Sequence, residues 1–343
     1  MVTKDALDQM WQQRAHLIRA YLDINPKAAK ISEEIAYILE QGVKKAGIEY
    51  AAVTYRAKSL ESFCEKVVRK STKDPIKEIT DLAGVRIVYL YNSDLKKLES
   101  LIEEQFTVVE KVDKVDRAEP DHFGYGALHY LVRLGKHSLG ARYDDLKELV
   151  CEIQVKTILQ DAWAIVAHHL SYKQEADVPK KLRRKLNALS GLFETADDQF
   201  NRLRDEREEY RADIKQQISD EAPTFLQQDI NLDNLSEYLK WRMPDREQLG
   251  LSEVADLLEE LQRFGYKKIE QLERALYLGF EALTAYEKEY PPSDEMQEPC
   301  QYATVGVIRG VLELTDDNYL SNKGSSKKMQ DRIKRFRTYL KKE

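Results

Sequence analysis

Two acidic residues, Asp81 and Glu152, lie on stretches of sequence that are typical of buried strands. The first stretch, residues 79–90, reads Ile-Thr-Asp-Leu-Ala-Gly-Val-Arg-Ile-Val-Tyr-Leu, and its apolar run from Val85 is too short for a helix of normal length. We therefore predict a strand near the centre of a sheet, with Asp81 at its entrance and with Gly84 permitting a tight turn or a close approach. A carboxylate at that place is free to point into a cleft.

Polar and apolar side chains alternate in the second stretch, residues 148–157. The polar members are Glu152, Gln154 and Lys156, and the apolar members are Cys151, Ile153 and Val155. Because successive side chains of a strand point to opposite faces of a sheet, the polar set is predicted to share one face. Two strands that each present a carboxylate to one cleft favour a divalent-cation site that handles phosphates. Two solvated carboxylates without a special function would give the same pattern.

Basic residues follow a third predicted strand. Arg56-Ala-Lys58-Ser59 ends this strand and enters a helix that carries Lys66. Basic side chains at a strand end, beside the amino terminus of a helix, make a receptive site for phosphate groups. An ordinary charged strand end is the alternative interpretation.

Tyr125 lies between two glycines in the stretch Phe123-Gly-Tyr-Gly-Ala-Leu-His129. The glycines leave its ring on a flexible loop, where the ring could stack on a nucleotide base. His129 lies on the strand that follows. A tyrosine with a structural role in a turn is the alternative.

The elements that carry these residues occupy the first half of the chain. Strands are predicted at 51–56, 79–90, 107–112, 127–134 and 149–155. Helical patterns separate them, which indicates an α/β (α+β) fold with a mixed five-stranded sheet flanked by helices. The second half shows helical patterns only. The length of 343 residues suits two domains, 1–215 and 216–343, because the helical pattern dissolves into Asp, Glu and Pro near residue 215.

The composition is typical of a folded protein of the reducing cytoplasm. The net charge of −6 implies no general affinity for nucleic acid or membranes, and the cysteines Cys64, Cys151 and Cys300 lack the spacing of metal ligands. No apolar run approaches membrane-spanning length. We expect a cytoplasmic protein without a membrane partner, and its assembly into a homo-oligomer is left open.

Four motifs, in this order, resemble the RelA/SpoT alarmone synthetase domain. They are Arg56-x-Lys58-Ser59, Asp81-Leu-Ala-Gly-Val-Arg86, Gly124-Tyr125-x-x-Leu-His129 and Glu152-Ile-Gln154-x-x-Thr157-(x)5-Trp163. The resemblance covers residues 1–210. It implies a nucleotidyltransferase-like mixed sheet and the transfer of the β,γ-pyrophosphate of ATP to a 3′-hydroxyl, usually that of GDP or GTP.

The resemblance also implies a role for each matching residue. Asp81 would be a ligand of the cofactor Mg²⁺, and Glu152 would ligate the metal or take the proton from the attacking hydroxyl. The residues that would bind ATP are Arg56, Lys58 and Lys66. The residues that would line the acceptor site are Tyr125, stacked on the base, with His129 and Gln154.

The chain departs from the family pattern in the loop ahead of Tyr125. Family members that act on GDP or GTP usually carry lysines and arginines there, whereas residues 113–123 hold four acidic residues against two basic ones. This acidic loop weakens the case for a free guanosine di- or triphosphate as the acceptor. Only His16 precedes residue 120 among the histidines. The metal-dependent hydrolase domain of the larger family members is therefore not expected, and the chain resembles a synthetase-only form.

Three functions are compatible with these features. The first is a small alarmone synthetase that makes (p)ppGpp from ATP and GDP or GTP. The second is that of the toxic relatives that pyrophosphorylate the 3′ end of tRNA and so stop translation, which the acidic loop and the extra domain favour. The third is a nucleotide-sensing module without activity, against which the complete set of Arg56, Lys58, Asp81 and Glu152 argues.

The carboxy-terminal stretch, residues 323–343, holds nine basic residues against two acidic ones. Its apolar residues recur at helical spacing, at Met329, Ile333, Phe336 and Leu340. One side of a helix can therefore dock while the other side stays charged. A terminal helix packed on its own domain is one interpretation. The other is a basic face that holds RNA phosphates, or that closes over the acidic loop and restrains the enzyme.

Overall fold

The computed structural model describes residues 4–70, 74–113, 126–170, 180–292, 301–324 and 326–341. The chain divides into two units, Met1–Leu203 and Arg204–Glu343. The boundary predicted at residue 215 lies after this division, inside the helix Lys180–Asp220. The stretch rich in Asp, Glu and Pro that suggested it marks the end of this helix instead. Over the described ranges, no helix is both long and apolar enough to span a membrane.

A mixed sheet of five strands organises the first unit and confirms the predicted fold class. Its strands are β1 (Tyr50–Ala57), β2 (Ala83–Tyr89), β3 (Phe106–Asp113), β4 (Leu128–Leu134) and β5 (Cys151–Thr157). Their order across the sheet is β1-β2-β5-β4-β3. The central strands β2 and β5 pair in parallel, and all other neighbours are antiparallel. The two strands predicted to present carboxylates are therefore adjacent at the centre of the sheet.

Alternating burial along β2 and β5 gives the sheet two different faces. Val85, Ile87 and Ile153 are at most 2 % exposed, whereas Arg86 and Glu152 are only partly buried. The buried face belongs to one hydrophobic core with three helices. These helices are α1 (Lys4–Lys45), α2 (Leu60–Lys70) and α4 (Leu95–Gln105); the short α3 (Pro75–Glu78) precedes β2. The half-buried polar face remains available for a site.

One helix, α1, runs through Asn25-Pro26, although this dipeptide is typical of a helix end and predicts two separate helices before β1. Pro26 lies inside the helix, and the departure from helical dihedral angles is at Arg14 instead, with φ −141° and ψ 40°. Tyr21 and Ile31, before and after Pro26, are both buried in the same core. This shared packing offsets the single backbone hydrogen bond that a proline removes, so the helix continues.

Among its described residues the second unit has helices and no strand, as predicted. Its first residues belong to α6 (Lys180–Asp220), which follows α5 (Ile158–Leu170) of the first unit. The later helices are α7 (Ala222–Leu226), α8 (Leu232–Arg242), α9 (Leu251–Arg263), α10 (Ile269–Glu289), α11 (Thr304–Thr315), α12 (Asp317–Asn322) and α13 (Lys327–Phe336). They enclose a hydrophobic core of their own.

The basic carboxy-terminal stretch packs on the second unit through α13. Ile333 and Phe336 are 2 % and 4 % exposed. Four of its cations form ion pairs with acidic side chains of the same unit: Lys323 with Glu313 at 2.7 Å, Arg337 with Asp317 at 2.6 Å, Lys341 with Glu281 at 3.1 Å, and Arg335 with Glu289. This is the arrangement expected of a terminal helix docked on its own domain.

Candidate active site

Strand register brings Arg56, His129, Glu152 and Gln154 onto the polar face of the sheet. Parallel pairing of β2 with β5 sets Gly84 opposite Glu152 and Arg86 opposite Gln154. Antiparallel pairing of β1 with β2 sets Arg56 opposite Gly84. The result is an open cleft with a volume of about 210 Å³, lined by Thr54, Tyr55, Arg56, Asp81, Gly84, Val85, Arg86, Glu152 and Gln154.

Asp81 lies just before β2 and accepts contacts from two lysines. The Lys58 Nζ lies 2.8 Å from Oδ2, and the Lys66 Nζ lies 2.8 Å from Oδ1. All three side chains are largely buried, with exposed fractions of 23 % for Asp81, 11 % for Lys58 and 17 % for Lys66. Burial raises the pKa of Asp81, but the hydrogen bonds from the two lysines outweigh it and lower the pKa below its usual value. Asp81 is therefore ionised.

The backbone fixes Lys58 where β1 ends. Its N–H donates to the Leu82 carbonyl at 2.8 Å, which extends the contact between β1 and β2 by one residue. Its own carbonyl accepts a hydrogen bond from the hydroxyl of Tyr21 on α1. Lys66 approaches from α2, whose side chains Phe63, Cys64 and Val67 are buried in the core. Two elements thus hold the two ammonium groups around one carboxylate.

Glu152 is held by its neighbours on the polar face. Its Oε1 lies 2.8 Å from the Nδ1 of His129 on β4, and its Oε2 accepts a hydrogen bond from Gln154 Nε2 at 3.0 Å. Burial and the charge of Asp81 raise the pKa of Glu152. The hydrogen bonds with His129 and Gln154 prevail and lower it to about 2. The carboxylate is therefore negatively charged and fixed in orientation.

Arg86 is a cleft residue to which sequence reasoning gave no role of its own. Its Nη1 contacts Asp161 Oδ1 at 3.0 Å, and Lys156 Nζ contacts the same oxygen at 3.4 Å. Asp161 belongs to α5, so this cluster connects β2 and β5 with the helix that follows them. The signal in the sequence is the one charged residue within the otherwise apolar β2.

The structure brings together all but one of the predicted site residues. Arg56, Asp81, Glu152 and Gln154 line the cleft directly. Lys58 and Lys66 join it through Asp81, and His129 joins it through Glu152. Tyr125 and residues 114–123 of the acidic loop lie outside the described residues.

The two carboxylates fit a cation that phosphates help to bind. Within the described ranges, no cluster of three or more His, Cys, Asp or Glu side chains could hold a metal alone. Asp81 and Glu152 are near enough for the charge of Asp81 to raise the pKa of Glu152. Mg²⁺ is typically held by one or two carboxylates, several waters and the phosphates of a substrate. The donor set suits that kind of site and does not suit a closed protein cage.

Comparison with known proteins gives a consistent result. Residues 55–177 match the family model described as the region found in RelA/SpoT proteins. The chain is 30 % identical to the GTP pyrophosphokinase YjbM of Bacillus subtilis over 165 residues, which cover 47 % of this chain and 74 % of that protein. It is 32 % identical to the GTP pyrophosphokinase YwaC of the same organism over 151 residues, or 42 % and 69 % of the two chains. The crystal structure of the small alarmone synthetase 1 from B. subtilis has 26 % identity and a TM-score of 0.40, over 52 % of this chain and 97 % of that one.

Proposed function

Because this chain belongs to the RelA/SpoT family, we propose that it transfers the β,γ-pyrophosphate of ATP to the 3′-hydroxyl of GDP or GTP. The enzyme class is that of the GTP pyrophosphokinases, which is also the class of its bacterial relatives. The observation that carries the proposal is the cleft in which Asp81, bound by Lys58 and Lys66, lines the same space as Glu152.

The basic residues support binding of a polyphosphate. Lys58 and Lys66 together carry one positive charge more than Asp81 balances, and Arg56 adds another cation to the cleft wall. Phosphate oxygens are acceptors for the same ammonium groups that now contact Asp81. Lys58 and Lys66 would therefore move towards the β- and γ-phosphates of bound ATP. These phosphates form the transferred group, on which negative charge is redistributed in the transition state.

The proposed reaction needs positioning more than covalent chemistry. The acceptor's 3′-oxygen attacks the β-phosphorus of ATP, the bond from that phosphorus to the α,β-bridging oxygen breaks, and AMP leaves. Glu152, fixed by His129 and Gln154, orients the hydroxyl by accepting its hydrogen bond, and the proton passes through this carboxylate to solvent. With a pKa of about 2, Glu152 is a weak base, so its contribution is mainly orientation and charge.

Asp81 and Glu152 are the residues that would hold Mg²⁺ together with the phosphates of ATP. When bound, the ion neutralises charge on the transferring pyrophosphate. The lysines that leave Asp81 for the phosphates would free its oxygens to act as ligands. His129 and Gln154 would contact the nucleotide that accepts the pyrophosphate. Tyr125, in the segment ahead of β4, would contact it as well.

The proposal is tested by incubating the purified chain and Mg²⁺ with ATP labelled at its γ-phosphate and with GDP, GTP or bulk tRNA. Transfer of label to GDP or GTP with release of AMP is the expected result, and release of ADP would indicate transfer of a single phosphate instead. The Glu152→Gln variant serves as the inactive control. An absence of labelled nucleotide with every acceptor, although ATP binds, would contradict the proposed activity.

A tRNA 3′ end is the second candidate acceptor. Residues 113–123 hold four acidic residues against two basic ones, a poor setting for the 5′-phosphates of GDP or GTP. The same assay decides between the acceptors, because label would then appear in tRNA and be lost when its 3′-terminal hydroxyl is oxidised beforehand.

A further inference from the structure

A second cavity of the first unit lies beside the catalytic cleft, where the parallel strands begin. It has a volume of about 390 Å³ and lies between α1, α3, the end of β4 and the segments that lead into β2 and β5. Buried apolar side chains form its inner wall, among them Ala28, Ile31, Ile79 and Leu82. Pockets of this size with apolar walls and few polar groups are typical of sites for small molecules.

Four polar side chains line this cavity, and of these Arg133 is partly buried whereas Lys77, Thr80 and Glu148 are exposed. Arg133 belongs to β4 and lies in the cavity wall. Within the described part of the chain it has no carboxylate partner, and its Nε–H is buried without an acceptor. A buried donor that lacks an acceptor costs free energy, and native structures usually satisfy such groups with water, an ion or a ligand. The Nε–H of Arg133 therefore lacks an acceptor among the described residues, and a bound ligand could supply one.

The other charges near the cavity lie at its rim. Lys77 is exposed and forms an ion pair with Asp74 at 3.1 Å. Glu148 is exposed as well, so water screens its charge. The buried part of the cavity thus combines one positive group with apolar walls. That combination selects an anion with an apolar body.

We propose that this cavity, called the Arg133 cavity, binds an amphipathic monocarboxylate, with the carboxylate on the Arg133 guanidinium and the apolar body along α1. Guanidinium and carboxylate match in geometry, and their charge-assisted hydrogen bonds are strong where water is excluded. The ligand class follows from the unsatisfied donor and the apolar wall together. A ligand without an acceptor atom would leave the donor of Arg133 unsatisfied, a neutral acceptor would make a weaker hydrogen bond than a carboxylate, and a cation would be repelled.

The Arg133 cavity shares a wall with the catalytic cleft. Thr80, Leu82 and Ala83 line the cavity, whereas Asp81 and Gly84 line the cleft. A ligand that moves this segment also moves Asp81, which holds Lys58 and Lys66. Occupation of the cavity is therefore expected to change the turnover of the enzyme. This consequence rests on the proposed pyrophosphate transfer, whereas binding to the cavity does not.

Binding is tested by isothermal titration calorimetry of the full chain with octanoate, and with 1-octanol as a probe of similar length without charge. The wild-type chain should bind octanoate, and Arg133→Gln should weaken that binding roughly tenfold or more, the effect of losing a hydrogen bond between charged groups. The affinity for 1-octanol should stay within about twofold, since its binding does not depend on the carboxylate. The matched control Glu148→Gln removes a rim charge of opposite sign and should leave octanoate binding equal or tighter.

A cavity-filling variant, Ala28→Leu, gives a second test that leaves Arg133 in place. It should weaken binding of both probes, and the melting temperature of each variant without ligand shows whether the chain still folds. Equal octanoate affinity in the wild type and in Arg133→Gln, or no octanoate binding by the wild type, would overturn the proposal. In an active preparation, octanoate should change the rate of AMP release by the wild type and not by Arg133→Gln; an unchanged wild-type rate at saturating octanoate would overturn the coupling.

Discussion

Asp81 forms ion pairs with two basic residues of the cleft. Its two oxygens contact the ammonium groups of Lys58 and Lys66 at 2.8 Å each. The long, flexible stem of a lysine allows its ammonium group to exchange one anionic oxygen for another. Under the proposed function, the phosphates of ATP would bind both lysines in place of Asp81. Asp81 holds both ammonium groups at the cleft.

Neutralising either carboxylate of the cleft should abolish transfer and leave the chain folded. For Asp81→Asn and for Glu152→Gln we expect turnover to fall by on the order of a hundredfold or more, as is usual when one contact to transition-state charge is lost. The measurement is steady-state AMP release, with circular dichroism to verify the fold. Asp74→Asn is the matched control, because Asp74 is an exposed carboxylate that pairs with Lys77. Turnover near the wild-type value in either cleft variant would show that the assigned role is wrong.

Tyr125 is predicted to stack on the base of the acceptor, so its ring should matter more than its hydroxyl. Stacking on a base contributes about 1–3 kcal/mol. Tyr125→Ala should therefore raise the KM for the acceptor by roughly tenfold and change the KM for ATP little. Tyr125→Phe, which keeps the ring, should behave like the wild type. A parallel loss of affinity for both substrates in Tyr125→Ala would indicate a structural residue.

Local pattern was enough to predict which side chains of β5 share a face. The shared face of Glu152 and Gln154 follows from the two-residue period of a strand, and the structure has both side chains on that face. The ion pairs of Lys58 and Lys66 with Asp81 could not be predicted, because they join residues on separate elements. The same holds for Arg86 and Asp161, which β2 and α5 bring together. A charge inside an apolar strand signals a partner but does not identify it.

At the scale of elements, β5 connects the cleft with the long helix α6. Thr157 ends β5, and its Oγ1 donates a hydrogen bond to Asp197 Oδ2 of α6 at 2.7 Å. Both residues are buried, Thr157 at 0 % and Asp197 at 5 % exposed. A buried carboxylate that loses a donor retains most of its desolvation cost. The strand that carries Glu152 is therefore anchored at its carboxyl end.

Thr157→Val should destabilise the first unit by about 1–3 kcal/mol, because the substitution keeps the side-chain shape but removes the donor to Asp197 and the acceptor of the Gln160 backbone N–H. Denaturant unfolding of the full chain, followed with a probe in the first unit such as Trp163 fluorescence, measures the change. Thr195→Val is the matched control, because Thr195 is on the same helix and its exposed hydroxyl donates to the backbone carbonyl of Gly191. A loss of stability no larger than in this control would show that the Thr157–Asp197 contact contributes little.

Element types were easier to predict than element ends. The five strands and their mixed arrangement follow from short apolar or alternating runs between helical patterns. The break at Pro26 does not occur, because side chains on both sides of it pack into one core. The division of the chain after Leu203 also differs from the boundary predicted near residue 215. Both positions lie inside α6, so the helical pattern does not distinguish them. Contacts between elements determine both where α1 continues and where the chain divides. The local sequence pattern carries no information about these contacts.

At the scale of the whole molecule, charge is distributed unevenly. The net charge is −6, yet the carboxy-terminal stretch, residues 323–343, is basic. The acidic side chains of the second unit pair with much of it, as Glu313, Asp317 and Glu281 do. Deleting residues 323–343 would remove Ile333 and Phe336 from a core, so that lost activity after deletion could reflect lost packing. Substituting exposed lysines of α13 alone separates charge from packing.

The variant that neutralises Lys327, Lys328 and Lys334 with glutamine should therefore keep the wild-type activity and melting temperature. These three lysines lie on α13, and their side chains are exposed, so their replacement leaves the docked face of the helix intact. If the helix serves packing alone, the affinity for tRNA and its dependence on salt should also equal those of the wild type. The matched control Ile333→Ala removes a buried side chain and should lower stability by about 2–5 kcal/mol. Weaker tRNA binding in the lysine variant, with a salt dependence reduced by about three phosphate contacts, would contradict a purely structural helix and show that α13 binds RNA.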